Sequence, residues 1–559
     1  MNAKQLYELG ENIFSKRASL VSMWQSVAEN FYPERADFTL TRTIGTEFAD
    51  GLMTSYPILA RRDLSDQIST MLRPTNKDWF KLVTGQHDRE DNQAKRWLEW
   101  AAQTQKRAMY DRNTMFTRAT KEGDADFSAF GQCVLTVNVT RGKEVAGRIV
   151  EPRHLLYRCW HLRDVAWMEN AEGKICAVWR KWKPHARTLT GLFAGKVHHK
   201  VLKAAEKDPF AEICCMHMAV DADMYDDQLD TIKMGESEIE YRKDNYGYVS
   251  IHYDYDNGKL MEAVPTHSRE YVIPRWQTVS GSQYAFSPAT VAALPDARLL
   301  QSMMHTLLEA GEKAVNPPVV ATQDVVRSDI SMFAGGITWV SEEYDEKLGA
   351  ALRPLEQDLR GIPLGMELYD RIQNMLGQAF YLNKLTLPQR APEMTAYEVG
   401  QRIQEYIRGA LPLFEPMEAE YNAQLCEITF ETLMREGAFG PPDSLPKSLQ
   451  GADVQFRFES PLHDAIEQQK GQKFLEAHSI LTAAAQLDAS APTVMDAQAT
   501  LRDVLNGIGC PAKWVRNEEQ MRRVEKEQAE NVTADDIGNA AKLVKNVAAG
   551  EKAAAEIGA

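Results

Sequence analysis

No run in the 559 residues approaches the roughly 18–20 apolar residues that a membrane-spanning helix requires, so no membrane partner is expected. The opening Met1-Asn-Ala-Lys-Gln-Leu-Tyr-Glu-Leu-Gly10 lacks an apolar core of signal-peptide length. Cysteine is scarce. Seven residues cannot all pair and are too few for a disulfide framework, which points to a reducing compartment. Positive charge is also in deficit, with 64 Lys and Arg against 79 Asp and Glu and a net charge of −15. That balance excludes a protein whose whole surface grips nucleic acid, because phosphate neutralisation needs concentrated cations.

Catalytic signatures are missing as well. No Gly-x-Ser-x-Gly elbow and no His-Glu-x-x-His helix occurs. Gly191-Leu-Phe-Ala-Gly195-Lys196 has three residues between its glycines where a phosphate loop needs four, and Val197 follows the lysine; a solvated loop is the plainer reading. His185, His198, His199, Cys214, Cys215 and His217 lack paired zinc spacing. Asp221-Ala-Asp223-Met-Tyr-Asp226-Asp227 has the acidity of a calcium loop without its turn glycine or terminal glutamate. The expectation is no enzyme activity, no metal and no cofactor.

What is present is an ordinary globular balance, 44% hydrophobic and 26% charged. The period along the chain predicts an α+β, mainly helical protein. Residues 1–130 read as helices, with Leu6, Leu9, Ile13 and Phe14 on one face and Leu20, Met23, Trp24 and Val27 on the next. A charged helix over about 89–112 carries Trp97 and Trp100. From about 130 to 275 the period is two. Cys133–Val139 and Glu144–Val150 read as strands, and Asn257-Gly258 as a two-residue hairpin turn before Lys259–Val264. Cys214–Asp230 is polar and acidic without a clear period.

Two long helices follow. Ser287-Pro288 and Pro295-Asp296 mark starts, and Leu300, Met303, Met304, Leu307 and Leu308 keep helical spacing until Asn316-Pro-Pro318. Ile362-Pro363 opens the second, with Leu364, Leu368, Ile372, Met375 and Phe380 on one side. Residues 295–315 and 363–383 each make a rod of about 31 Å. Between them lie Val319-Val320, Gly335-Gly336 and Ile337-Thr-Trp339-Val340, a small unit of strand character. Thr395-Ala-Tyr-Glu398 is a capping box for a helix running to Glu436, bent by Pro412 and Pro416. Asp453–Glu459 alternates as a strand, and helical segments close the chain.

Tyr284-Ala-Phe-Ser-Pro-Ala-Thr-Val-Ala-Ala-Leu-Pro-Asp-Ala-Arg298, a helix, and then Asn316-Pro-Pro318 resemble the signature of the portal (head-to-tail connector) proteins of short-tailed bacteriophages. Met394-Thr-Ala-Tyr-Glu-Val-Gly-Gln-Arg402 is similar, as are Leu59–Leu64, Met71-Leu-Arg-Pro74, Trp79-Phe-Lys-Leu82 and Phe130–Leu135, all in family order. Ala285 and Phe286 stand where Gly and Arg are expected.

The resemblance implies a ring, usually a dodecamer, at one capsid vertex of the virion, assembled in the host bacterial cytoplasm. It implies a wing over 1–285, a first stem helix over 286–316 with Leu300, Met304 and Leu307, and a clip over 317–358 with Val319, Val320, Ile337, Trp339 and Val340. A second stem helix over 359–383 would carry Leu368, Ile372 and Met375. A tunnel loop over 384–394 would bring Lys384, Gln389 and Arg390 to the DNA. The long helix and strand over 395–460 would complete the wing, and 461–559 would form a crown. Implied partners are copies of itself, nonspecifically bound double-stranded DNA, the terminase large subunit, tail adaptors, and major capsid and scaffolding proteins. Readings from other classes are a capsid or tail protein without a channel, and a DNA-processing packaging enzyme.

Overall fold

The computed structural model describes residues 1–85, 92–227, 246–321, 361–385, 412–441 and 445–458 apart from a few isolated positions, with 232–234, 237–239, 352–355 and scattered single residues. The helical segments expected over 395–408 and beyond 460 lie largely outside these residues. The chain divides into two compact units, Met1–Lys77 with Gln105–Ala438, and Asp78–Thr104 with Phe439–Ala559.

In the first unit, helices α1 (Ala3–Lys16), α2 (Ala18–Phe31) and α3 (Tyr56–Leu72) come first. Asn2 and Gln5 start α1 with a reciprocal capping box, at 2.8 and 3.0 Å. Helix α4 (Asn92–Met109) crosses the division between the units, and α5 (Phe116–Phe130) follows. Gly131 ends α5 with φ +76°; a Cβ there would lie 2.5 Å from the Phe286 backbone, so only glycine fits.

Two antiparallel sheets form the body. The smaller has strand order Tyr271–Val272, Val134–Val139, Leu155–Trp160. The larger runs Lys259–Thr266, Tyr248–Asp254, Cys215–Asp221, Ile175–Trp182, Val165–Glu169. Met216, Met218 and Val220 meet Leu6, Tyr7 and Ile13 of α1, as period-two alternation dictates. Trp179 Nε1 donates to the Leu6 carbonyl at 2.9 Å, and Gly10 lets its ring in, since a Cβ there would sit 2.5 Å from the indole.

Several expectations are corrected here. Cys215–Asp221, in the acidic stretch that showed no clear period, is the central strand of the larger sheet, buried at six consecutive positions and so without alternation. Glu144–Val150 is not one strand but part of a hairpin, Lys143–Val145 with Arg148–Glu151. The turn at Asn257-Gly258 takes four residues, because pairing stops at Asp254 with Lys259. Asp254, fully buried, accepts from Asn257 N at 3.1 Å and from its Nδ2 at 2.9 Å, which holds the wider turn. Phe80–Thr84, within the stretch read as helical, is a strand.

The Gly191–Lys196 stretch finishes helix α6 (Ala186–Leu192) and turns before α7 (His199–Lys207). Buried Phe193 and Val197 anchor it in a small core with Leu189 and Val201. Among the described residues no group of three or more His, Cys, Asp or Glu is arranged to hold a metal. His217 is buried in the larger sheet, within 2.6 Å of Tyr271 Oη and 2.8 Å of Ser250 Oγ, and burial lowers its pKa.

In the second unit, Phe80–Thr84 pairs antiparallel with Val454–Phe458, the strand expected over 453–459. Trp79 stacks on Phe458 at 6.4 Å, and Trp97 and Trp100 flank Phe439.

The first unit is tied across long sequence separations by one buried polar cluster. Arg73 pairs with Asp124, donates to Asn422 Oδ1 at 2.9 Å and lies over the Tyr421 ring at 4.5 Å. Asn422 Nδ2 in turn donates to the Leu72 carbonyl at 3.0 Å. Asp124→Ala leaves the guanidinium buried and uncompensated, an expected loss of about 3–5 kcal/mol. Urea unfolding should show it as a lower midpoint at unchanged slope; a loss below about 1 kcal/mol would show that the cluster does not hold the unit together.

Candidate functional site: the paired helices

The segment leading into the first long helix is fixed before the helix begins. Ser287 Oγ donates to the Ala129 carbonyl at 2.6 Å, and Ala285 N donates to Gln132 Oε1 at 2.8 Å. Buried Ala285 and the neighbouring Phe286 backbone, the two positions that depart from the expected pattern, thus dock on the end of α5. A π-helical stretch, Ala289–Ala293, precedes α8 (Leu294–Val315). Pro295 supplies no N–H to the preceding turn, and the wider stretch absorbs that irregularity. The two expected starts, at Pro288 and Pro295, therefore merge into one helical rod that stops at Asn316 before Pro317-Pro318.

The second helix, α9, spans Gly361–Ala379. It ends four residues earlier than the expected Asn383, because Tyr381 takes φ +59° and a four-residue helix, α10 (Leu382–Leu385), follows. Lys384 lies on α10, while Gln389 and Arg390 lie outside the described residues.

Helices α8 and α9 pack antiparallel. Gln301 and Tyr369 both reach Thr54 near the root, and further out Leu307 packs on Gly365, where a Cβ would lie 2.8 Å from Leu307 Cδ2. Gln301 Oε1 accepts from Met53 N at 2.7 Å and Thr54 N at 2.9 Å, and its Nε2 donates to the Thr54 carbonyl at 2.9 Å. Tyr56 Oη would be 2.8 Å from a Cβ at Gly377, and burial raises its pKa. Phe380 packs against Phe31 in a tilted ring pair, with centroids 5.4 Å apart. Beyond Pro317, Val319–Ala321 pairs antiparallel with Leu352–Pro354, closing the far ends of the helices.

Burial separates the expected residues. Leu300 is buried at the root; Met304, Leu307 and Ile372 are half-buried along the seam. Leu368 and Met375 are not core: they are 43% and 55% exposed, and Leu364 is 59% exposed. These three share one face of α9 at offsets of 4 and 11 residues. A polar row runs beside them, Glu367, Asp370 and Asn374, and α8 shows the same division with Arg298, Ser302, His305, Glu309 and Glu312 facing outward. Lys313 hydrogen-bonds Glu309 at 2.7 Å and holds its carboxyl below the usual range. Val319 is half-buried, Val320 and Trp339 are exposed, and Ile337 and Val340 lie outside the described residues. Gln301, Tyr369 and Gly365 were not legible as contacts, since none carries a local motif.

The model of the family described as "Bacteriophage head to tail connecting protein" matches residues 3–515. The chain belongs to that family. It is similar to the probable portal protein of Bordetella phage BPP-1, 24% identical over 477 residues, covering 81% of this chain and 77% of that one. The portal protein of Salmonella phage epsilon15 is 22% identical over 228 residues, 40% of this chain and 39% of that one. Among solved structures, a chain of the virion of a native gene transfer agent particle aligns at 10% identity with a TM-score of 0.34, over 81% of this chain and 95% of that one. Function follows from the family: this is a phage portal protein with a structural role, and the DNA channel belongs to that role.

Gln301→Ala removes three hydrogen bonds at the root of α8 and leaves two backbone donors and one acceptor to find water. A destabilisation of about 1–3 kcal/mol is expected, measured as a lower denaturant midpoint; unchanged stability would show that the root is held by apolar contacts alone.

Proposed function

We propose that copies of this chain close into a ring, in which α8 and α9 stand side by side around an axial aperture that passes double-stranded DNA without reading its sequence. What carries the reading is the division of exposed surface on these helices. An apolar stripe left open to water on α9 gains by meeting a neighbouring copy, at about 1.5–3 kcal/mol for each fully buried Leu or Met. The weakly acidic polar rows then face the aperture, where a wall without concentrated cations lets phosphates slide. The pairing is heterologous, one face of a copy against a different face of the next, and such contacts make closed rings when the rotation closes.

In this reading 317–358 forms a clip that docks the terminase large subunit during packaging and tail adaptors afterwards. Residues 384–394 form a tunnel loop whose Lys384, Gln389 and Arg390 touch the DNA backbone. Residues 461–559 form a crown, and the wing meets capsid and scaffolding proteins. The ring is a noncatalytic dodecamer at one capsid vertex, assembled in the host cytoplasm.

Leu368→Glu with Met375→Glu places two carboxylates in the inter-copy face and should abolish rings while leaving the monomer folded. Analytical ultracentrifugation, electron micrographs and far-UV circular dichroism check this together; intact rings would sink the assignment of the stripe. Lys384→Ala with Arg390→Ala should leave rings intact and change DNA packaging or retention in a packaging assay. If both stay normal, the tunnel-loop assignment fails.

A further inference from the structure

Charge is not spread evenly over this acidic protein. Between Trp182 and Cys215, at the ends of two sheet strands, six cations and three histidines stand against three carboxylates. The cations concentrate on α7. Lys200, Lys203 and Lys207 recur at offsets of 3 and 7 residues, which places them on one face over about 10 Å of helix. All three are exposed, and Val201 turns the opposite side into the small core with Leu189, Phe193 and Val197. Glu206, exposed and three residues after Lys203, stands beside it on the outward face, and Asp208 sits at the C-cap, where its Oδ1 accepts from Phe210 N at 3.0 Å. Lys259 joins the cluster from the neighbouring sheet strand, its Nζ donating to the Val197 carbonyl at 3.1 Å. The field is felt at exposed His199, whose pKa is lowered by His198 first and by Lys203, Lys200 and Lys259 as well.

We propose that the outward face of α7, through Lys200, Lys203 and Lys207, is a sequence-neutral contact for the phosphate backbone of double-stranded DNA. Lysine ammonium groups are point charges on flexible stems that suit phosphates without fixing a base. Lysine is depleted in protein–protein interfaces, where arginine and aromatic residues are enriched. A face on which three lysines outnumber a single carboxylate, Glu206, therefore favours a nucleic-acid backbone over an acidic protein, and a phage portal protein works where such a backbone is at hand. The contact goes beyond the channel reading, since no residue of α8 or α9 takes part in it.

The test uses the full-length protein and a duplex of about 12 base pairs, roughly 41 Å long, with affinity followed by fluorescence anisotropy from 50 to 200 mM salt. Wild type should bind in the nonspecific range, about 10⁻⁴–10⁻⁶ M. K200Q/K203Q/K207Q should weaken binding about tenfold or more at 50 mM salt and reduce the slope of log affinity against log salt by about 2.7, at ~0.9 for each phosphate contact. K200R/K203R/K207R should retain binding, and K4Q/K174Q, exposed lysines elsewhere, should leave it unchanged. The proposal is overturned if wild type fails to bind at 50 mM salt, or if the glutamine variant keeps its affinity and slope. It is overturned in favour of an acidic protein partner if polyglutamate displaces the duplex as well as unlabelled duplex does. Micrographs of the same preparations score rings separately, so loss of the channel reading and loss of this one are told apart.

Discussion

Among the described residues, helices α8 and α9 pack on each other along their inner rows and on the rest of the first unit at their roots, where Gln301, Tyr369 and Gly377 meet Thr54 and Tyr56. That constraint shapes everything else about the site. A pair of helices so placed has one shared seam, and apolar residues outside it stay wet within a single chain. Val315, 88% exposed, and the stripe at Leu364, Leu368 and Met375 are the result. A soluble monomer gains nothing from such a surface. In the proposed ring each copy would meet two neighbours, and the gain would recur around it.

The roots must then be stiff, and the means is hydrogen bonding between segments far apart in sequence. Gln301 reads three backbone groups of residues 53 and 54. Ser287 and Gln132 pin the approach to α8 against α5. Arg73, Asp124 and Asn422 join the end of α3 and the segment at 422 to the same α5 in a buried site. Buried polar clusters of this kind carry a desolvation cost, and they fix one arrangement of the surrounding segments only when their partners are all in place.

Much of this was legible from period and punctuation. The long helix over 294–315 announced itself through Leu300, Met304 and Leu307 between prolines, and the strand over 454–458 through clean alternation. Cys215–Asp221 was hidden because a strand buried on both faces loses its alternation. The strand at Phe80–Thr84 was hidden because its partner lies some 370 residues away, at Val454–Phe458. The second long helix was drawn too long, since nothing local marks Tyr381 as a residue with positive φ. The family signature located the helix pair, yet it did not say which of its apolar residues are core.

Taken alone, the order of residues determined the family, the alternation of helical and strand regions, the positions of the two long rods and the absence of phosphate-loop and catalytic signatures. Spacing and proline placement act over a few residues, and a single chain records them directly. Only the tertiary structure decided that Leu300 is buried while Leu368 and Met375 face water, that Gln301 anchors on Thr54, and that the lysines of α7 stand together with Lys259. Burial and electrostatic fields are sums over neighbours in space, and those neighbours are set by how distant segments meet rather than by what stands next in the chain.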